Sequence, residues 1–465
     1  MNSLLLAHGR IVDPGQGLDG PGDVLIVDGK VAAVGPDTAR SALPEIPRID
    51  VGGRILCPGL IDLHVHFREP GQSAKETITT GMKAAARGGF TSVVCMPNTT
   101  PAIDSPSTVR WILDRARGGP VNLFVAGAIT KGIAGEELAS IGGLHKAGVV
   151  AITDDGRCIQ NNELMCRALE YSRMFDLLVM DHCQDYALAG DGVMHDGRYS
   201  TMLGLQGWPA EGEEIIVARN ILLAERTGAR VHCQHISLAG SVRLLREAQA
   251  RGVAITGEAC PHHFTLTDAA VAGSEEFWRQ DGKDLHPGVN PAVLPRWPAY
   301  DTNFKMNPPL RSAADREAVI QAVLDGVLSV LASDHAPHTN YEKEVEFDYA
   351  PFGITGLETE LALSLMQLHH ARGMPLTDLV ARFTTAPAGL LRLESKGTLK
   401  PGADGDVTVI DPDLVWHFQP NQTASRARNS PFYGWPLRGR AVGTVVAGEL
   451  VWRDAALSAE GLVKP

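Results

Sequence analysis

Eight short apolar runs with helical patterning between them limit what this chain can fold into more than any other feature. They are Ile55–His66, Phe90–Met96, Val121–Gly127, Val149–Thr153, Leu177–His182, Val231–His235, Val253–Cys260 and Val327–Ser333. This repetition predicts a (β/α)8 barrel, although a doubly wound parallel sheet alternates in the same way. The first helix is expected to open at Ser73-Ala74-Lys75-Glu76, which has capping-box spacing, and to stop at Gly88-Gly89. Both chain ends read as strands. Val24–Val27, Asp28-Gly29 and Val31–Val34 give a hairpin signal. Val407–Ile410 and a segment from Val442 to Trp452 that folds back at Ala447-Gly448 balance it at the other end. The expected organisation is a small β-sandwich domain, 1–55 with 398–465, beside a TIM-like α/β barrel over 56–397.

The polar residues decide between barrel and open sheet. In a barrel, chemistry collects at the C-terminal strand ends. Run one ends in His64 and His66, which alternation places on one face. Run four ends in Thr153-Asp154-Asp155-Gly156, run five in Asp181-His182-Cys183, run six in His232-Cys233-Gln234-His235, and run eight in Ser333-Asp334-His335. One strand-end histidine is commonly structural. Five strands ending in His or Asp on one rim point to a metal centre. Mixed nitrogen and oxygen donors suit Zn²⁺, and four histidines with two carboxylates suffice for two ions sharing a bridge.

Composition narrows the partners. The 465 residues carry a net charge of -12, which argues against nucleic acid or an anionic membrane surface. Seven cysteines without a C-x-x-C pair fit a reducing cytoplasm better than a disulfide framework. Leu4-Leu5-Leu6 lacks the length and basic flank of a signal peptide, and no apolar run reaches the roughly 18 residues of a membrane span.

Six motifs carry a family resemblance across nearly the whole chain. They are Pro58 to Gly71 (PGLIDLHVHFREPG), Met96-Pro97-Asn98-Thr99, Thr153-Asp154-Asp155-Gly156, Asn303 to Arg311 (NFKMNPPLR), Asp334 to Thr339 (DHAPHT) and Pro351 to Gly356 (PFGITG). In these the chain resembles the bacterial type I dihydroorotases of the amidohydrolase superfamily. The resemblance implies that His64, His66 and Asp334 hold a first zinc and His182 and His235 a second. Asp155 and a hydroxide would bridge them, in place of the carboxylated lysine of many relatives. Asp154 is the weaker choice for the bridge and reads as a loop residue bonding nearby backbone. Lys131 is read as solvated. Asp334 is the implied catalytic acid and base. Arg68, Asn98 and His338 are implied to take the substrate carboxylate, and Asn307 with the backbone at Phe352 and Gly353 to read the ring amide. His262 and His263 fit the pattern without an assigned role, and Cys183 and Cys233 read as packing residues.

The implied reaction is the reversible hydrolysis of (S)-dihydroorotate to N-carbamoyl-L-aspartate in pyrimidine biosynthesis. A hydantoinase- or allantoinase-like activity is the alternative. Another is a non-catalytic partner subunit of aspartate transcarbamoylase. A homodimer, open to association with that transferase, is the implied assembly. Three segments stand apart. Residues 274–302, rich in Trp, Pro and Gly, are expected to form a rim or subunit contact near the pocket. Asp185 to Trp208 reads as a long loop, and Gly156 to Asn162 as a mobile segment.

Overall fold

In a computed structural model, residues 2–283, 285–286 and 293–457 are described. Five strands open the chain: β1 (Leu4–Asp13), β2 (Leu18–Val27), β3 (Lys30–Gly35), β4 (Arg48–Asp50) and β5 (Ile55–Pro58). The Asp28-Gly29 turn joins β2 to β3 with both residues at positive φ (50° and 75°), which matches a primed hairpin turn. The barrel strands follow: β6 (Leu60–Val65), β7 (Phe90–Cys95), β8 (Asn122–Gly127), β9 (Ala151–Ile152) and β10 (Leu178–Asp181). A separate parallel pair, β11 (Met194–His195) and β12 (Gly207–Trp208), interrupts them before β13 (Val231–Cys233), β14 (Ile255–Ala259) and β15 (Val330–Leu331) complete the barrel. The chain returns through β16 (Val407–His417), β17 (Pro436–Val446) and β18 (Glu449–Arg453).

The eight barrel strands run in sequence order from β6 to β15, every pairing parallel. Closure between first and last strands comes from main-chain and side-chain bonds. His66 N donates to His335 O (2.9 Å), and Asp62 accepts from Ser333 Oγ (2.5 Å) and from Ser333 N (3.3 Å). Alternation divides the strand residues between two apolar cores. Val93, Val125 and Val179 pack with helix residues such as Ile112 and Met165, while Val94, Ala126 and Met180 pack with other strands. The open-sheet alternative is thereby excluded.

Both chain ends do meet in one β-rich unit, whose strands join in a single continuous sheet of eight. The first apolar run is two strands rather than one. Its first half, β5, pairs with β1 and β16 in that sheet, and only β6 enters the barrel. Gly59 stands at the switch, where a Cβ would lie 2.1 Å from Thr91 Oγ1. The first barrel helix spans Ile78–Gly88 and opens later than expected: Thr77 and Thr80 form the capping box, not Ser73 and Glu76. Gly89, at φ 95°, stops it as expected.

The Asp185–Trp208 segment is ordered by helices at Tyr186–Ala189 and Arg198–Leu203 and by the β11–β12 pair, not an irregular loop. Within 274–302, Trp278 Nε1 donates to Pro295 O, Trp297 Nε1 donates to Ala270 O, and Trp297 stacks on Phe304 at 4.6 Å. Pro287 and Pro291 of that segment lie outside the described residues. Among the described residues no helix is long and apolar enough to cross a membrane.

Candidate active site

The strand ends bring the expected side chains to one point. His64 ends β6, Asp155 follows β9, His182 follows β10, and His235 and Asp334 follow β13 and β15. His64 Nε2 lies 3.3 Å from Asp155 Oδ1, and His66 Nε2 lies 3.0 Å from Asp334 Oδ1 and 3.5 Å from Asp155 Oδ2. His182 Nδ1 is 2.8 Å from His235 Nε2 and 3.9 Å from Asp155 Oδ1. All six are buried. Asp155 belongs both to a group with His64 and His66 and to one with His182 and His235, the position a bridging carboxylate needs.

The backbone is strained at this rim. Arg68 (φ 61°), His235 (φ 31°) and Asp334 (φ 44°) all sit in the left-handed region, which costs free energy and concentrates at functional sites.

Charge favours a cation here. Burial would raise the Asp155 carboxyl, yet His64, His66 and His182 hold it well below the usual carboxylate range. Burial opposes protonation of His64, but Asp155, Asp334 and Glu258 outweigh it and lift its pKa well above normal. Imidazoles and carboxylates that compete this strongly for protons at close range are good metal donors.

The far sides of the rings are tied down by Glu258 and Gln184, which the sequence reading did not single out, and by Asn98, which it read as a substrate contact. Glu258 Oε1 lies 2.7 Å from His64 Nδ1, and its other oxygen lies 3.1 Å from His232 Nε2. Burial would raise Glu258, but His64 and His232 bring it down to about 2. Asn98 Oδ1 lies 2.8 Å from His66 Nδ1, and Gln184 Oε1 lies 2.8 Å from His182 Nε2. These bonds leave Nε2 of His64 and His66, and Nδ1 of His182, facing inward, which is the usual outer support of a metal ligand. A metal therefore fits the donor set. Glu258 sits where β14 ends, so its signal was the strand-end rule applied to a glutamate.

A cavity of about 240 Å³ opens over the cluster, lined by His66, Asp155, His182, His235 and Asp334 and also by Arg68, Asn98, Asn307, His338, Phe352 and Gly353. Arg68 Nε donates to Pro337 O (3.2 Å), and its Nη2 lies 3.5 Å from His338 Nε2. Burial together with Arg68, Lys75 and Lys343 pushes the His338 pKa well down. The Phe352 loop is fixed from behind: Lys343 Nζ donates to Pro351 O (2.9 Å) and Gly353 O (3.1 Å), and Asn429 Nδ2 donates to Gly353 O (3.0 Å).

Other sequence candidates lie outside the cluster. Asp154 accepts from the backbone N–H groups of Ile129 and Thr130, the loop role expected of it. Lys131 is exposed and paired with Glu137. Cys183 and Cys233 are buried free thiols. His262 and His263 are buried in the short helix Pro261–Thr265, where His263 Nε2 lies 2.9 Å from Pro308 O. In the Gly156–Asn162 segment, the Gly156 carbonyl accepts from Tyr186 Oη (3.0 Å), and the Ile159 carbonyl accepts from Arg219.

Known proteins resemble this chain along nearly its whole length. A family model described as Dihydro-orotase-like matches residues 53–241, and one described as Amidohydrolase family matches residues 183–452. A dihydroorotase of Pelotomaculum thermopropionicum is 49% identical over 451 residues, covering 97% of this chain and 99% of its own. One from Geobacter sp. (strain M21) is 49% identical over 453 residues, covering 97% and 99%. The structure of L-hydantoinase (dihydropyrimidinase) from Arthrobacter aurescens superposes with a TM-score of 0.82 at 24% identity, covering 99% of this chain and 98% of that one. Dihydropyrimidinase from Brevibacillus agri gives 0.80 at 22% identity, covering 97% and 95%. At that identity the last two speak for the fold alone.

Proposed function

The chain belongs to the dihydroorotase family of metal-dependent cyclic amide hydrolases, and from that premise we propose that it reversibly hydrolyses (S)-dihydroorotate to N-carbamoyl-L-aspartate in pyrimidine biosynthesis. The observation that carries this reading is the shared cavity. Donors for a metal lie beside a buried guanidinium suited to the carboxylate that the ring carries away from the scissile amide.

We assign the metal as two Zn²⁺ ions. His64, His66 and Asp334 would hold one, His182 and His235 the other, and Asp155 would bridge them. Bound zinc supplies a Lewis acid for the amide carbonyl and a water acidic enough to give hydroxide near neutral pH. Arg68, Asn98 and His338 hold the substrate carboxylate. Asn307 and the Phe352–Gly353 backbone receive the ring amide edge. Asp334 takes the proton from the attacking oxygen and delivers it to the departing ring nitrogen. In the closing direction it returns that proton to the departing oxygen.

We also divide the chain into a β-domain, 1–55 with 398–465, and a barrel over 56–397. Their largely separate apolar cores support this, and the strand Ile55–Pro58 sits across the line. A cytoplasmic homodimer, open to association with aspartate transcarbamoylase, completes the reading. The seven free cysteines support the compartment, and light scattering tests the assembly.

The decisive experiment pairs elemental analysis of the purified protein with turnover of dihydroorotate, hydantoin and allantoin. We expect close to two zinc per chain and a preference for dihydroorotate. Faster opening of either other ring overturns the substrate, and a metal ratio near zero overturns the centre.

A further inference from the structure

Gln184 lies where β10 leaves the barrel, 8% exposed, and its contact behind His182 is only half of what it touches. Its single oxygen serves two neighbours. Oε1 lies 2.8 Å from His182 Nε2 and 2.9 Å from Asn307 Nδ2, which donates to it. An amide oxygen only accepts, so this contact calls for an N–H at His182 Nε2 and turns Nδ1 toward His235 and Asp155. The same contact fixes the amide of Asn307. With Nδ2 held by Gln184, Asn307 Oδ1 is left buried with no hydrogen-bond partner among the described residues, and Asn307 lines the cavity. A buried acceptor left open in this way is costly unless a ligand N–H fills it. Gln184 is itself anchored, because its main-chain carbonyl accepts from Gln160 Nε2 (3.0 Å).

We propose that Gln184 is a positioning residue that sets, through one oxygen, both the ligating nitrogen of His182 and the polarity of Asn307. Asn307 is thereby a dedicated acceptor for a substrate ring N–H. This rests on the reading of His182 as a metal ligand and Asn307 as a substrate contact.

The test compares Gln184→Glu, which keeps the acceptor, with Gln184→Met, which fills the space without one. Three quantities are read on the zinc-loaded full chain: zinc retained after dialysis against a weak chelator, KM for dihydroorotate, and kcat at saturating zinc. For Met we expect zinc retention to fall at least about tenfold, the range typical of lost outer support. We also expect a severalfold rise in KM that is absent when Gln184→Met is added to an Asn307→Ala chain. Glu should restore zinc retention. If Met leaves zinc retention and KM at parental values, the proposal is wrong. It is equally wrong if Glu and Met fail alike while both keep the parental circular dichroism. If the parent chain itself binds no zinc or ignores dihydroorotate, the underlying site reading fails instead.

Discussion

Arg68 shows how much one side chain is asked to do. It sits at positive φ, is buried, and spends one guanidinium nitrogen on Pro337 O, which aims the rest of the fork toward the cavity. A hydrogen bond to a charged group is worth about 1.5–3 kcal/mol. Arg68→Met should therefore lower kcat/KM for dihydroorotate by roughly 10- to 100-fold, mostly through KM, with zinc content unchanged. Steady-state kinetics beside elemental analysis read both, and an unaltered KM would break the carboxylate assignment. Glu258 acts on the other side of the centre. Glu258→Ala removes the acceptor behind His64 Nδ1 and His232 Nε2, so zinc affinity should fall about 10- to 100-fold. Competition with a chelating dye measures it, and excess zinc should return part of the activity. The six candidate donors stand among the His and Asp at the ends of apolar runs, and the family resemblance is what picked them from their neighbours there. Glu258 shows there only as one more strand-end carboxylate and Gln184 not at all, because their meaning lies in partners distant in the chain, His64 for the one and Asn307 for the other.

At the scale of elements, the first barrel helix shows tertiary structure overriding a local signal. Ser73 and Glu76 have the right spacing, but Glu76 is drawn elsewhere: it accepts from Ser425 and from Arg426 N and lies 3.4 Å from His335 Nε2. Glu69 Oε2 meanwhile accepts from Ile78 N (2.8 Å), and Thr77 and Thr80 close the cap reciprocally. Thr77→Ala should cost about 1 kcal/mol. A lowered urea midpoint at constant slope checks this, with zinc content unaffected. The same limit explains the split of the first apolar run. Periodicity marks apolar residues from Ile55 onward, but nothing local states that Ile55–Pro58 pairs with the far C-terminal strand β16. The close approach of Gly59 to Thr91 is visible only when both strands are placed.

At the scale of the molecule, the sheet built from both chain ends is fastened by a small charged cluster. Asp404 pairs with Lys30 (2.5 Å) and Lys396 (2.9 Å), and Lys396 also reaches Asp406 (2.6 Å). Asp406 accepts from Asn122 Nδ2 at the start of β8 and from Ala447 N in the β17–β18 turn, each at 2.9 Å. The cluster thus joins barrel, early hairpin and late hairpin. The alternating barrel and the paired ends could be read from sequence, but this joint could not, since one of its ion pairs, Lys30 with Asp404, spans 374 positions. Burial would raise the Asp404 carboxyl, yet Lys30, Lys396 and Ser395 bring it down from 3.8 to about 2. A carboxyl with a lowered folded-state pKa contributes stability that is fully present above its unfolded value and fades as pH falls through its folded one. Asp404→Asn should therefore lower Tm by a constant amount between pH 5 and 7, and the gap to the parent should close as pH falls from about 4 toward 2. Lys30 is half exposed, so added salt should shrink the gap at neutral pH. Calorimetry of both chains across that range reads the trend directly. A gap that stays constant down to the acid limit would mean that the two lysines do not hold the ends together through this carboxylate.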